Sequence, residues 1–590
     1  MSRVSFADRG RLIWYAMRRG LSHVAGRLAA SRLLDLFRLG GRNERIAIAP
    51  QSLRTADPTR ASEIYAGRFA LAGKIVVCDG RSPFEMEAPT PDWAASLLGF
   101  GWLRHMRAAE SAGARANARA LVEEWIALQG GWNRVAWRPE IVSRRIVSWL
   151  SQASLILAEA DVRFYRRFIR SLARQVRFLR WTAGDAQDGV PRLQAAIALT
   201  YAALCMTGQT RHLKRATKRL SAELDRQILA DGGHVSRNPG ALIELLADLL
   251  PLAQAFTSRN VAPPPALLNA VDRMMPMLRF FRHSDKTFAL FNGMGPTAQD
   301  LLATILAYDD ARGRPVANAI HSGYQRIEAR DTVVLMDTGA PPPLAVSADA
   351  HAGCLSFELS SRQQRIVVNC GLPAAGKGNW RHLARATAAH STVTFNQTSS
   401  CDFYDTRVMR RVFGTLIAGG PSRIAATRDA DDHAEQVRVS HDGYADKFGV
   451  IHQRTVTLSA DGRRLEGEDI FLPARGEALP AKLPDEFAVR FHLHPTIRVA
   501  RVDDGHGVML TLPNRDVWAF LAHEDRVDIE ESVYLGGRTG PRRTVQLVIH
   551  GHARRAPRVE WTFALTSETL PTGAGAGARG AREQTQDLSR

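Results

Sequence analysis

The apolar residues of the chain follow two different periods. From about residue 91 to residue 307 they recur every three or four positions, which is typical of amphipathic helices. The pattern is clearest in three segments, 117–129, 161–180 and 241–256. Short breaks rich in Gly, Pro and Asp separate such segments, as expected of antiparallel helix pairs. This part of the chain is therefore predicted to be helical.

Near residue 320 the period becomes two residues, which is typical of β-strands. The alternating or continuously apolar stretches end at Gly, Asp or Asn, and they cover residues 331–339, 354–361, 364–371, 391–397 and 454–471. The sequence SADGRR at 459–464 predicts a hairpin turn. A run of helices followed by a run of strands predicts two domains, one all-α and one all-β.

The two ends of the chain differ from this pattern. Residues 1–60 form a basic segment, with ten arginines and three acidic residues in the first 45 positions. The arginines interrupt its apolar residues, so a secretory signal is not expected. A helix packed on its own protein and an amphipathic helix on a membrane surface both remain open. Residues 569–590 are rich in Gly, Ala and polar residues, which predicts a disordered tail.

Composition narrows the class of protein. With 45% hydrophobic and 23% charged residues the chain has a globular composition, and no stretch of about 18 uncharged apolar residues predicts a transmembrane helix. The net charge of +19 favours a polyanionic partner. Zinc-finger spacings, RNP motifs and Walker loops are missing, so nucleic acid is not the expected partner. The five cysteines are widely spaced, which predicts reduced, mostly buried thiols.

Three ordered blocks within about 50 residues point to a family. They read AHAGCLSFELS (350–360), RIVVNCG (365–371) and WRHLARATAAHSTVTF (380–395). Together they resemble the C-terminal module of the heparinase II/III family of polysaccharide lyases. The resemblance implies an (α/α) toroid of helical hairpins over residues 61–317 and an antiparallel β-sandwich over 318–568. It also implies a cleft between the two, an anionic polysaccharide as partner, and the cell envelope or periplasm, although the sequence also allows the cytoplasm.

The chemistry implied by the resemblance is β-elimination at a uronic acid. The C5 proton leaves only if the adjacent carboxylate is neutralised while a base accepts the proton, and an acid must protonate the departing O4. Many members also bind zinc. His351 and His390 match the family's metal-binding histidines, but Asn369 occupies the position of the third ligand, an Asp. Because an amide carries no charge, the resemblance implies a degenerate zinc site.

The catalytic positions depart further from the family. By the resemblance, Asp349 stands where many members have a catalytic His. Ala241 stands at the position of the catalytic Tyr, and Leu242 at the position after it. Pro191 and Arg192 stand where the family has an Asn-His pair. An eliminating enzyme would therefore need a rebuilt acid and base. The polar segment GGHVSRNP at 232–239 offers candidates.

Within that segment, His234 is the candidate base, Arg237 and Asn238 are the candidate carboxylate clamp, and His390 is expected opposite them. Ser236 or Asn238 could equally cap the following helix. The candidate substrate-binding residues are Arg192, Tyr324, His441 and Tyr444, although tyrosines at strand starts are also commonly packed in a core.

Two functions remain open. The polar segment favours a lyase acting on an acidic, uronate-containing polysaccharide. The missing Tyr favours a non-catalytic or differently catalytic relative that binds an anionic glycan in the cell envelope.

Overall fold

The computed structural model describes residues 10, 44–309, 315–373, 378–404, 414–502 and 505–567. Most of the predicted basic segment 1–60 and all of the predicted tail 569–590 lie outside these residues. The described part consists of helices followed by antiparallel sheets, so the predicted order of the two fold classes is confirmed.

The helical part begins with a short hairpin and continues as helices joined by short connections. The described helices are α1 Thr59–Tyr65, α2 Pro91–Leu98, α3 Leu103–Ala108, α4 Ala112–Leu128, α5 Pro139–Ser151, α6 Ala153–Leu157, α7 Val162–Thr182, α8 Val190–Cys205, α9 Leu213–Gln227, α10 Gly240–Ser258, α11 Pro265–Phe280 and α12 Gln299–Leu306. The hairpin strands are β1 Arg68–Leu71 and β2 Lys74–Val77. The three segments with the clearest helical period all form helices, namely α4, α7 and α10.

Helix α8 lies at the centre of the helical part because nearly every one of its residues is apolar. It packs against α5, α9 and α10, and from Ala195 to Cys205 it is entirely buried. A cluster of aromatic rings fills the neighbouring space, with Trp125 and Trp149 in edge-to-face contact at 5.5 Å between centroids. Burying an aromatic side chain contributes on the order of 1.5–3 kcal/mol, so this cluster is a main source of stability.

Helix α10 is the one described helix whose length and hydropathy match a membrane span. Within the fold, 67% of that apolar window is buried against other helices. Its acidic residues Glu244 and Asp248 form ion pairs with arginines of the same domain. These contacts identify α10 as a core helix of the helical part.

The strands form two large antiparallel sheets. The first contains β3 Asn318–Ala319, β4 Tyr324–Ala329, β5 Thr332–Asp337, β6 Phe357–Ser361, β7 Gln364–Val368, β8 Val393–Phe395, β15 Glu486–Leu493, β19 Asp528–Tyr534 and β20 Arg542–His552. Its order is β19-β20-β15-β7-β6-β5-β4-β3, with β8 paired to β15. The Ser459–Arg464 turn joins two strands of the second sheet, as predicted.

The second sheet contains β11 Ile424–Ala430, β12 Ala434–Tyr444, β13 Val450–Ser459, β14 Arg464–Pro473, β16 Arg498–Arg501, β17 Gly507–Thr511, β18 Val517–Ala522 and β21 Arg558–Ser567. Its order is β11-β12-β13-β14-β21-β18-β17-β16. A small ribbon of β9 Asp402–Tyr404 and β10 Leu416–Gly419 and two short helices, α13 Gly378–Leu383 and α14 Ala445–Phe448, complete the described elements.

The two large sheets share one apolar core, as expected of a sandwich. Phe357 and Phe491 from the first sheet lie against Trp561 from the second, with Phe357 stacked on the indole at 5.3 Å. The helical core also continues into the first sheet through Tyr324 and Leu335. This continuity fixes the helical part against the sandwich and so defines the cleft between them.

Candidate functional site

A cleft of about 460 Å³ lies between the helical part and the sandwich. Four chain segments line it: 187–191 before and at the start of α8, 236–244 at the start of α10, 292–298 before α12, and 346–350 before β6. A cavity of this volume is large enough for a small-molecule or sugar ligand. The cleft lies where the resemblance placed it.

Close backbone packing shapes the floor of the cleft. Gly293 has φ +91°, and a Cβ there would come within 2.7 Å of the Asp349 carbonyl oxygen and 3.1 Å of Asn238 Nδ2. Only glycine fits such a position. The neighbouring Asn292 donates from Nδ2 to the Tyr324 hydroxyl at 2.7 Å and to Asp337 at 2.9 Å. These bonds tie the cleft floor to the sandwich.

Three carboxylates line the cleft. Asp188 pairs with Arg226 at 2.5 Å, Glu244 with Arg54 at 3.0 Å, and Asp349 with Arg381 at 3.2 Å. The side chains of Glu244 and Asp349 are 52% and 60% exposed, so a ligand can reach both.

Two of these carboxylates are held in the ionised form. Burial alone would raise the pKa of Asp188 and Glu244, but the arginines beside them lower the pKa of both overall. Among the described lining residues there is no histidine, tyrosine, lysine or arginine. Because each lining carboxylate is paired with an arginine behind the wall, the described lining offers an anionic ligand no cationic side chain.

The predicted base, His234, lies behind the cleft wall. The Ser236 backbone N–H donates to His234 Nδ1 at 3.1 Å, so the imidazole proton is on Nε2 and is donated to Gln227 Oε1 at 2.9 Å. The Ser236 hydroxyl also lies 2.7 Å from Nδ1. Burial, together with the charge of Arg226, lowers the pKa of His234 to about 4. With its lone pair already engaged, His234 cannot take a substrate proton in this arrangement.

The predicted carboxylate clamp is also not assembled as expected. Arg237 donates to the carbonyls of Ser322, Gly323, Gly339 and Ala340 at 2.8–3.0 Å and to Asp337 at 2.5 Å. Every N–H of its guanidinium is thereby used, and its stem and head are buried. Arg237 joins the loop before α10 to the ends of β4 and β5.

Asn238 lines the cleft, but its side chain also caps a helix. Its Oδ1 accepts the Gly240 backbone N–H at 2.8 Å at the start of α10, which is the capping role considered from the sequence. Of the predicted clamp, only the amide nitrogen of Asn238, which faces Gly293, therefore remains available to a ligand.

The predicted metal ligands lie close together without forming a complete ligand set. His351 Nδ1 and His390 Nε2 are 2.9 Å apart, and His390 Nδ1 lies 2.8 Å from the Ala386 carbonyl. The carbonyl can only accept, so His390 is protonated on Nδ1 and its Nε2 accepts from His351 Nδ1–H. Asn369 Oδ1 already accepts the Ser391 N–H at 2.9 Å.

Zinc sites in proteins use at least three His, Cys, Asp or Glu ligands. No group of three such residues occurs in the described part of the chain, and the third position here is a neutral, occupied amide. The residues therefore do not fit the family's zinc site. His390 and the predicted base also do not face each other across the cleft, because neither lines it.

The remaining predicted substrate-binding residues are part of the core or its edge. The Tyr324 hydroxyl donates to the Arg237 carbonyl at 2.6 Å, and the Tyr444 hydroxyl donates to the Val393 carbonyl at 2.7 Å. His441 is buried against His452. Arg192 is 3.6 Å from Asp188 but does not line the cleft. Burial leaves none of the first three accessible to a ligand.

Sequence reasoning missed the acidic lining residues Asp188 and Glu244. A signal for Glu244 was present, because Glu244 and Asp248 are the only charges in an otherwise apolar helix and stand four residues apart on one face. Such carboxylates require partners or solvent. Asp188 had no comparable signal.

Comparisons with known proteins agree with this architecture. The family model described as Heparinase II/III-like, C-terminal, matches residues 311–562. FtsZ-localized protein C of Caulobacter vibrioides (strain NA1000 / CB15N) is 32% identical over 530 residues, covering 88% of this chain and 90% of the relative.

Solved structures with the same fold include a heparinase III, with TM-score 0.68 and 14% identity over 93% of this chain and 92% of that chain. Heparan sulfate lyase HepC from Pedobacter heparinus has TM-score 0.57 and 14% identity over 95% and 89%. The predicted helical toroid followed by a β-sandwich is thereby confirmed. Given the family model and the full-length relative, the chain belongs to the heparinase II/III-like family.

Proposed function

We propose that this chain is a binding member of the heparinase II/III-like family that has lost β-elimination and works at FtsZ assemblies. The observation that carries the proposal is the described lining of the cleft, which contains three carboxylates and no histidine, tyrosine, lysine or arginine. Elimination at a uronate needs a base and a cation to neutralise the carboxylate. The family's Tyr and His positions hold Ala241 and Asp349 instead.

The cleft itself is retained, which supports binding rather than a purely structural role. Its volume suits one or two sugar rings, and the exposed Glu244 and Asp349 with the amide nitrogen of Asn238 offer hydrogen-bond partners. Ionised carboxylates favour a neutral or cationic sugar, such as an amino sugar, over a uronate. The anionic polysaccharide expected from the net charge is therefore not the ligand proposed for this cleft.

The association with FtsZ is inferred from the relative. FtsZ-localized protein C shares 32% identity across 90% of its own length, so the similarity includes both the helical part and the sandwich. A protein whose catalytic residues are replaced can still act as an adaptor that binds two partners at once. We therefore expect one surface to bind assembled FtsZ and the cleft to hold a carbohydrate ligand.

Two assays on the full chain test the proposal. Incubation with heparan sulfate and other uronate polymers should give no unsaturated product, with an active heparinase III as the positive control. The chain should sediment with assembled FtsZ and stay in solution with unassembled FtsZ. Unsaturated products would show that the chain is a lyase. Failure to sediment with assembled FtsZ would show that it does not bind FtsZ assemblies.

A third assay concerns the cleft. Ala241→Phe places a ring in the cleft and should abolish binding of neutral or amino-sugar oligosaccharides while leaving sedimentation with FtsZ unchanged. Asp331→Asn, at a 73% exposed carboxylate in the β4–β5 turn away from the cleft, is the matched control. Equal glycan binding by Ala241→Phe and the control would exclude the cleft as the binding site.

A further inference from the structure

A second, much smaller pocket lies within the helical part. Its volume is about 30 Å³, and α10 contributes Ala247 and Asp248 to its lining, one helical turn beyond the Glu244 that lines the cleft. Three arginines and a set of hydroxyl and amide side chains line it: Arg54, Arg104, Arg144, Gln51, Ser52 and Ser148. Such a volume admits one small group and excludes a sugar ring.

The three arginines are not balanced by acidic partners. Arg54 and Arg144 share the buried carboxylate of Asp248, at 2.5 and 3.0 Å, and Arg54 also reaches Glu244 at 3.0 Å. Within the described part of the chain, Arg104 donates to two backbone carbonyls, those of Thr55 at 2.8 Å and of Gly101. No carboxylate of the described residues lies within ion-pair distance of it. Three cations thus face two carboxylates.

The excess positive charge affects Arg104 itself. Burial, followed by the charges of Arg54, Arg60 and Arg144, lowers the pKa of Arg104 to about 10. Crowded, partly buried cations are unfavourable unless an anion neutralises them. Among the described residues, Arg104 is thus the cation of the pocket with no carboxylate within ion-pair distance, and the charge of Glu244 acts on it only from further away.

The backbone around the pocket is shaped to bring these arginines together. A Cβ at Gly99 would lie 3.2 Å from Arg144 Cγ, and a Cβ at Gly101 would lie 3.3 Å from Arg104 Nη1. Between them the buried Phe100 has φ +56°, which is uncommon for a residue with a side chain. Backbone strain of this kind persists where surrounding contacts enforce it, and it is frequent at ligand clamps.

We propose that this arginine pocket binds a small oxyanion, namely a sulfate, phosphate or carboxylate group, either free or as the end group of a glycan. Guanidinium groups match such anions through paired N–H donors. The neighbouring Ser52 and Ser148 hydroxyls can supply further donors. The proposal is independent of the proposed function, because it concerns a different pocket that shares no lining residue with the cleft.

The test uses the full chain and inorganic ions. Sulfate and phosphate, titrated at constant ionic strength against chloride, should raise the melting temperature along a saturable curve. Arg104→Gln should weaken the apparent affinity for both ions at least tenfold, and Arg104→Lys should weaken it less because it keeps the charge but not the planar fork. Arg423→Gln is the matched control, since Arg423 is 82% exposed, lies next to β11 of the sandwich and does not line the pocket.

The outcomes separate cleanly. Stabilisation of the wild-type chain by sulfate and phosphate no greater than by chloride overturns the proposal, and so does equal affinity in Arg104→Gln and Arg423→Gln. A sulfated disaccharide that binds at least tenfold tighter than inorganic sulfate identifies a glycan end group as the ligand. Equal affinities identify the free ion. Both of the last results support the site.

Discussion

At the scale of single residues, burial and partners decide the role more than residue type does. The segment at 232–239 offered a histidine, an arginine and an asparagine, and the sequence correctly marked it as a place of dense polar chemistry. The backbone carbonyls that accept hydrogen bonds from Arg237 belong to residues between Ser322 and Ala340, which are 85–103 residues away in the chain. No local pattern reveals such partners. The sequence alone therefore favours a substrate clamp at Arg237, whereas the structure gives this residue a structural role.

The role of Arg237 leads to a stability prediction. Arg237→Ala should lower the free energy of unfolding by about 3–5 kcal/mol, because it leaves the buried Asp337 carboxylate without its partner. Urea unfolding measures the change. Arg423→Ala, at an ion pair whose arginine is 82% exposed, should cost less than about 1 kcal/mol. A loss as small as that of the control would show that Arg237 does not join the two domains.

Asn369 allows a second test at this scale. The wild-type chain should retain no stoichiometric zinc after dialysis, since its ligand set is two imidazoles and an occupied amide. Asn369→Asp supplies a negative oxygen ligand and should give zinc binding that His351→Ala abolishes. Metal analysis of the three proteins measures this. Stoichiometric zinc in the wild-type chain would show that these residues do hold the metal.

At the scale of elements, the period of apolar residues located the helices and strands well. It did not show how deeply each element is buried. In α7 the arginines recur as one stripe, yet Arg163 and Arg170 are exposed whereas Arg174 and Arg177 are buried. The stripe enters the domain because the last turns of α7 pass under the 129–131 loop, where Arg174 donates to the Gly130 carbonyl. The spacing of residues predicts which side of a helix they share, whereas tertiary contacts determine whether that side is buried.

The close contact between β14 and β21 allows a prediction about stability. A Cβ at Gly467 would fall 2.0 Å from the Trp561 ring, which is itself stacked on Phe357. Gly467→Ala should therefore cost about 1–3 kcal/mol through overpacking. Gly113→Ala, in the first turn of α4 with open space around it, should be neutral or stabilising by up to about 1 kcal/mol. Urea midpoints of both variants measure the contrast.

At the scale of the whole molecule, the sequence pattern predicted the two fold classes, and the family resemblance implied a cleft between them. It could not predict the charge of that cleft, because the lining comes from four segments that span more than 160 residues. The net charge of +19 describes the surface as a whole. Locally, carboxylates face the cleft while an excess of arginine faces the smaller pocket, so a global charge does not identify the ligand of either site.

Burial of neutral histidines should make the whole molecule sensitive to mild acid. Burial lowers the pKa of His105, His234 and His390 to about 4 and that of His492 to about 3, whereas an unfolded chain has histidine pKa values near 6.5. The unfolded state therefore binds more protons as the pH falls below about 6.5. The stability that these groups contribute is complete above that pH and is lost on acidification.

At pH 5 the loss should be on the order of 2 kcal/mol for each of these histidines, from about 1.4 kcal/mol per pH unit. Carboxylates with lowered pKa values add their loss only below about pH 4, so the interval from 6.5 to 5 reports the histidines. Urea unfolding across this interval should show a steadily falling midpoint. His492→Gln should reduce the slope of this fall. A midpoint that stays constant between pH 7.5 and 5 would mean that these imidazoles are not held neutral by burial.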